Sequence, residues 1–249
     1  MPPQALRGTL RALPLPARTM QTTSFMPQGR IHVWQWAMLA LGAAAMLSAQ
    51  AGWVDGYWVF KPLAMVAALL AVCAPRFAPR SARRLRARHW LVAALGFSLV
   101  GDVCLMLNGL FIPGLVAFLC AHVCYIRLFA LDASWLPRRT PLVACLLLGA
   151  GVYSYLWSHL PTELRLPVAA YVLVIALMAA QAVGRALVRS SRAARCVAYG
   201  ALVFMLSDTL LAIDRFVHPL TWASLGVLGT YYVAQWLIVH GMLQTSQQA

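Results

Sequence analysis

The stretch Trp90–Leu107, WLVAALGFSLVGDVCLML, decides how this chain folds. Its only charged residue is Asp102, and it lacks the polar/apolar alternation of a half-buried strand. Wound as an α-helix at ~1.5 Å per residue it is about 27 Å long, close to the ~30 Å hydrocarbon core of a bilayer. A second run, Cys196–Ile213, has the same design around Asp208. Each aspartate follows a small residue and precedes a leucine-bearing apolar run, in Gly101-Asp102-Val103-Cys104-Leu105 and in Ser207-Asp208-Thr209-Leu210-Leu211. A carboxylate in hydrocarbon costs at least about 2.5–3.5 kcal/mol, so such residues face a bundle interior and carry function there.

The remainder of the chain is built alike. It is 62% hydrophobic and only 10% charged, with a mean hydropathy of +0.74, which excludes a soluble globular domain. Further apolar runs lie at Val33–Gln50, Tyr57–Ala74, Pro113–Leu131, Pro141–His159, Leu166–Val188 and Trp222–Leu243. The strands of a membrane barrel would be about half as long and would alternate, so helices satisfy the backbone here. The fold class is therefore all-α, a polytopic transmembrane helical bundle of eight spans.

Of the twenty cationic residues, those at positions 7, 11, 18, 30, 76, 80, 83, 84, 86, 88, 127, 138, 139, 185, 189, 192 and 195 fall on one side of such a bundle. Lys61, Arg165 and Arg215 fall on the other. This asymmetry predicts cytoplasmic termini, and in a bacterium the inner membrane. The net charge of +14 is thus a topology signal, and nucleic acid is not an expected partner. Trp34, Trp36, Trp53, Trp58, Trp90, Trp135, Trp157 and Trp222 lie near span ends as interface anchors. Residues 1–30 hold basic residues without acid or a long apolar run, and read as a disordered cytoplasmic tail ahead of an eight-helix domain over 31–249. The six cysteines are scattered through the spans without a CxxC pair and read as small buried residues; Cys120 and Cys124, four apart, share a helix face, but no carboxylate or histidine joins them there to make a metal site.

The order of features suggests a weak parallel repeat of four plus four spans, with Asp102 in the third and Asp208 in the seventh. Each aspartate comes twelve residues after its span's inner end, roughly 18 Å deep. The returning fourth and eighth spans carry His122 with Tyr125, and Tyr231 with Tyr232 and Gln235. His122 and Tyr231 come nine residues after their spans' outer ends, so all these groups share one layer within about a helical turn.

Two carboxylates in one apolar layer divide naturally into an acid and a base. The same pair also fits a proton relay in a transporter, or a purely structural role in helix packing. His122 and Tyr125 share a face and can orient a carboxylate, and Tyr231 and Gln235, four apart, share another. Lys61, just before Pro62 at the start of the second span, either snorkels to the interface or turns inward to an anionic group. A zinc site would want three converging ligands and only His122 is at the right depth; a serine triad lacks its elbow motif. No metal and no cofactor is expected.

Taken in order, Lys61-Pro62-Leu63, Gly101-Asp102 with Leu105, Ala121-His122-Val123-Cys124-Tyr125, Ser207-Asp208 with Leu211, and Tyr231-Tyr232-Val233-Ala234-Gln235 resemble the YhhN/TMEM86 family of lysoplasmalogenases over roughly residues 33–243. The resemblance implies an integral-membrane hydrolase that cleaves the vinyl ether bond of a lysoplasmalogen-type lysophospholipid. It implies catalysis by Asp102 and Asp208, with Lys61, His122, Tyr125, Ser207, Tyr231, Tyr232 and Gln235 binding or orienting the substrate. Membrane lipids are the surrounding partners, and a homo-oligomer is compatible with the chain.

Overall fold

The computed structural model describes residues 33–74 and 81–248, with the side chains of the last helix described to Thr245. The expected tail over 1–30 lies outside the described residues. The described chain forms eight α-helices and no strand: α1 (Val33–Gln50), α2 (Val54–Cys73), α3 (Ala82–Met106), α4 (Phe111–Phe129), α5 (Arg139–Leu156), α6 (Thr162–Arg189), α7 (Arg192–Phe216) and α8 (Ala223–Gln248). This is the expected helical bundle. Six of the eight, α2 to α7, are by length and composition apolar enough to cross a membrane. On the first and last, several polar side chains turn inward: Gln35 on α1 and Tyr231, Tyr232 and Gln235 on α8 are all buried.

Successive helices pack as antiparallel neighbours, α1 on α2, α3 on α4, α5 on α6 and α7 on α8, while α8 closes back on α1 and α6 packs on α4. Gly200 and Gly241 allow the tight α7–α8 contact. A Cβ on Gly200 would come 2.9 Å from the Ala234 carbonyl oxygen, and one on Gly241 would come 2.7 Å from that of Ala193. Small residues at helix crossings are how bundles pack where hydrocarbon offers no hydrophobic drive between helices. On α3 and α7 the residues two before each aspartate, Val100 and Leu206, are 51% and 49% exposed. A two-residue step turns a helix by about 200°, so a lipid-facing residue there sends the aspartate inward.

The two aspartate-bearing helices start in the same way. Ser81 Oγ accepts from the Arg84 amide at 3.3 Å and Ser191 Oγ from the Ala194 amide at 3.1 Å, each satisfying one of the helix's free N-terminal donors. Both helices therefore begin well before the apolar runs and carry their arginines as extra turns at that end. Gly52 and Gly109, at φ +69° and +80°, make the tight turns that follow α1 and α3 at the opposite end.

Candidate active site

The two aspartates line one cavity of about 240 Å³. Its walls come from α2 (Tyr57, Lys61), α3 (Asp102, Leu105), α4 (Phe118), α7 (Ser207, Asp208, Asp214) and α8 (Ser224, Tyr231). Tyr57, Asp214 and Ser224 lie at or near the ends of their helices, so the cavity runs from mid-bundle toward the end of the molecule opposite the arginine-rich turns.

Asp102 is buried, 3% exposed, between two partners. Lys61 Nζ stands 3.6 Å from Oδ1, and the Tyr231 hydroxyl donates to Oδ2 at 2.6 Å. Lys61 therefore turns inward; it is 6% exposed, and α2 begins at Val54, which sets the lysine two turns inside the helix instead of at its first turn. Burying a cation and an anion together is tolerable only because each neutralises the other. Gly101 brings α4 close: a Cβ there would lie 2.6 Å from the Phe118 ring.

Asp208 has a different setting, with no lysine or arginine paired to it among the described residues. The Tyr171 hydroxyl from α6 donates to Oδ2, and His122 Nε2 lies 3.9 Å from the same oxygen. His122 is fully buried, edge-on to Tyr171 and Phe204 at 5.3 and 4.9 Å between ring centres, and neither ring nitrogen has a hydrogen-bond partner. The Phe204 ring also meets Tyr231 edge-on at 5.5 Å, so one aromatic ring separates the two aspartate settings.

A second, apolar cavity of about 60 Å³ adjoins the first. Phe111, Leu115, Val152, Leu156, Val168 and Ile175 are among its walls, and Tyr171 and Asp208 face it. Leu105, Phe118, Asp208 and Leu211 line both cavities. Asp208 thus stands where a polar chamber meets an apolar one.

Of the remaining expected site residues, Tyr125, Tyr232 and Gln235 line neither cavity. Tyr125 donates to Gln235 Oε1, whose amide nitrogen donates to Ser98 Oγ at 3.1 Å, a buried bond chain tying α4, α8 and α3 together outside either cavity. Tyr232 donates to the Lys61 carbonyl oxygen at 3.4 Å, so it supports the backbone that carries the lysine. Ser207 lines the polar cavity, but its hydroxyl donates to the Val227 carbonyl at 2.9 Å. Among the described residues no group of three histidines, cysteines or acids is arranged to hold a metal ion.

The model of the YhhN family matches residues 56–242, a span that takes in Lys61, Asp102, His122, Tyr171, Asp208 and Tyr231. This chain belongs to the YhhN family. It is 38% identical over 156 residues to the lysoplasmalogenase TMEM86B of Homo sapiens, covering 62% of this chain and 64% of that protein. It is 34% identical over 197 residues to the lysoplasmalogenase TMEM86B of Mus musculus, covering 78% of each. To the lysoplasmalogenase of Mycobacterium bovis it is 33% identical over 164 residues, covering 63% of this chain and 61% of that protein. The match thus spans somewhat less than two thirds of the length of the human and mycobacterial relatives. No solved structure matches the chain.

Two residues of this YhhN protein's site escaped the sequence reading. Tyr171 is the only residue between Val168 and Gln181 with a hydrogen-bonding side chain, a signal that goes unnoticed in a run of 23 residues read simply as a span. Asp214 is half-buried near the end of α7 and lines the polar cavity, with Oδ1 accepting from the Leu220 amide at 2.8 Å.

Proposed function

We propose that this protein hydrolyses the vinyl ether bond of lysoplasmalogen-type lysophospholipids, giving a fatty aldehyde and a glycerophospho-base. The reading is carried by one observation: Asp102 and Asp208 line a single polar cavity that meets an apolar one at Asp208. A lysoplasmalogen has the same two parts joined at the bond to be broken. The start of its alkenyl chain, beside the vinyl ether bond, enters the apolar cavity, and its glycerophospho-base enters the polar one together with the attacking water.

The surroundings divide the labour between the carboxylates. Asp102, beside the Lys61 ammonium, serves as the anion, and Asp208, bonded to the Tyr171 hydroxyl and with no lysine or arginine paired to it, serves as the acid. Asp208 gives its proton to the alkenyl carbon next to the ether carbon; the π pair forms the new C–H bond. The positive charge left on the ether carbon and oxygen is held by Asp102, as the second carboxylate does in glycoside hydrolysis. Water from the polar cavity adds to the ether carbon and its proton restores Asp208. The hemiacetal then breaks its bond to the glycerol oxygen, which takes the hydroxyl proton and leaves an aldehyde. Tyr171 holds Asp208 in place, with His122 packed beside it, and Lys61 and Tyr231 hold Asp102.

The polar cavity is itself selective. Three of the chain's six acids, Asp102, Asp208 and Asp214, line it against one cation, Lys61. With Asp208 carrying the proton and Lys61 balancing Asp102, Asp214 leaves the cavity one negative charge in excess, which favours the ammonium of an ethanolamine or choline headgroup. The arginine-rich end faces the cytoplasm with both termini, and the cavities open toward the other leaflet.

Purified protein in detergent is expected to release aldehyde from lysoplasmenyl-ethanolamine, and Asp102→Asn and Asp208→Asn should each lower kcat by roughly 10²–10⁴-fold. Normal turnover in both variants would overturn the proposal. Absence of product in detergent together with aspartate-dependent flux in liposomes would mark a transporter.

A further inference from the structure

At the end of the bundle away from both cavities, four helices converge on a small separate pocket of about 70 Å³. Arg83 and Arg84 reach it from the first turn of α3, Asp132 from just beyond α4, Arg189 from the last turn of α6 and Thr245 from α8. Leu128, Leu131 and Met242 make its apolar side. Asp132 is held by the fully buried Arg185, whose Nε and Nη2 donate to its two oxygens at 2.6 and 2.7 Å, and Arg189 Nε lies 3.8 Å from the second oxygen. Arg185 also donates to Thr245 Oγ1 at 3.5 Å, while its Nη1 is buried without a hydrogen-bond partner. Arg83 donates twice to the Leu131 carbonyl and so caps α4.

The charges do not balance. Asp132 pairs with Arg185 and Arg189, so its single charge faces four guanidinium groups, and no carboxylate among the described residues pairs with Arg83 or Arg84. Arg84 is half-buried and Arg189 41% exposed, so both remain open to a ligand while the ion pair beneath them is fixed. We propose that this pocket is an anion site that takes the phosphate of an anionic membrane lipid of the adjoining leaflet. The planar, forked N–H donors of Arg84 and Arg189 bind the phosphate oxygens, which accept from them. The Leu128, Leu131 and Met242 side takes the start of the lipid's chains. Basic pockets between spans at the side rich in arginine are where such headgroups bind. A free phosphate offers the same chemistry without the apolar part. The site is independent of the proposed reaction, since none of its residues lines either cavity.

The test uses the full chain, purified and delipidated in detergent, with thermal unfolding as the readout. Phosphatidylglycerol at about 100-fold over half-saturation is expected to raise Tm by roughly 5–10 °C, and phosphatidylcholine to leave it unchanged. The shift should vanish in Arg84→Ala/Arg189→Ala and persist in Arg138→Ala/Arg139→Ala, which removes the same charge from exposed positions elsewhere on that face. Arg84→Ala alone leaves both ion pairs of Asp132 in place and should cut the shift by at least half should the double variant not fold. An equal shift from inorganic phosphate, lost in the same variants, keeps the anion site and makes free phosphate its ligand. No shift in the wild type, or equal shifts in the two double variants, overturns the site.

Discussion

Lys61 and Asp102 show what a buried pair commits a side chain to. Each is nearly free of solvent, so removing the cation strands the anion. Lys61→Met is expected to lose about 3–5 kcal/mol of stability, and Lys61→Met/Asp102→Asn to recover much of it, because the loss comes from the unpaired charge and not from the missing contact. Thermal unfolding of the set checks this; a double variant no more stable than the single would refute it. Tyr171 acts on the other aspartate. Tyr171→Phe removes one hydrogen bond to a carboxyl group and almost no packing volume, so kcat for aldehyde release should fall roughly tenfold or more while Tm falls by roughly 2–10 °C. A lower Tm with normal kcat would make the tyrosine structural only.

At the scale of elements, the sites depend on how closely α7 and α8 approach, since one carries Asp208 and the other Tyr231, the partner of Asp102. Gly241→Val puts methyl groups against the Ala193 carbonyl and Val197, and is expected to cost about 1–3 kcal/mol and to lower activity by parting the two helices. Calorimetry and turnover on one preparation check both. The helices themselves were legible: the run Val33–Gln50 coincides with α1, and each other run falls mainly within one helix. Their starts were less so. Hydropathy reads only the turns that lie in hydrocarbon, whereas α3 continues back through Arg83, Arg84, Arg86 and Arg88 to its Ser81 cap. Both aspartates were readable because a lone charge in an apolar run has few tolerable positions. Lys61 was ambiguous, because a lysine near a span end can satisfy itself by snorkelling, and only the helix beside it settles its direction. Tyr125 and Gln235 had the right depth and the wrong angle: they meet each other. Depth follows from counting residues, but facing depends on how neighbouring helices rotate against one another.

Across the whole molecule, charge is sorted by place. The chain carries +14, yet half of its six acids gather around one cavity while the arginines crowd the opposite end. Asp214 supplies that cavity's excess negative charge, and Asp214→Asn should raise KM several-fold for lysoplasmenyl-ethanolamine and leave KM for the uncharged alkenylglycerol unchanged. Steady-state kinetics on the two substrates decide it; an equal change for both would exclude a role in headgroup choice. The meeting of two chambers at Asp208 has one more consequence for the proposed reaction. Its products differ in solubility as sharply as the chambers differ in lining, and they are formed on opposite sides of a single side chain. The aldehyde is born already in an oily compartment and the glycerophospho-base in a wet one, so neither must pass the other to leave. Hydrolysis then doubles as phase separation: the lipid half stays with the membrane, and the polar half goes to water.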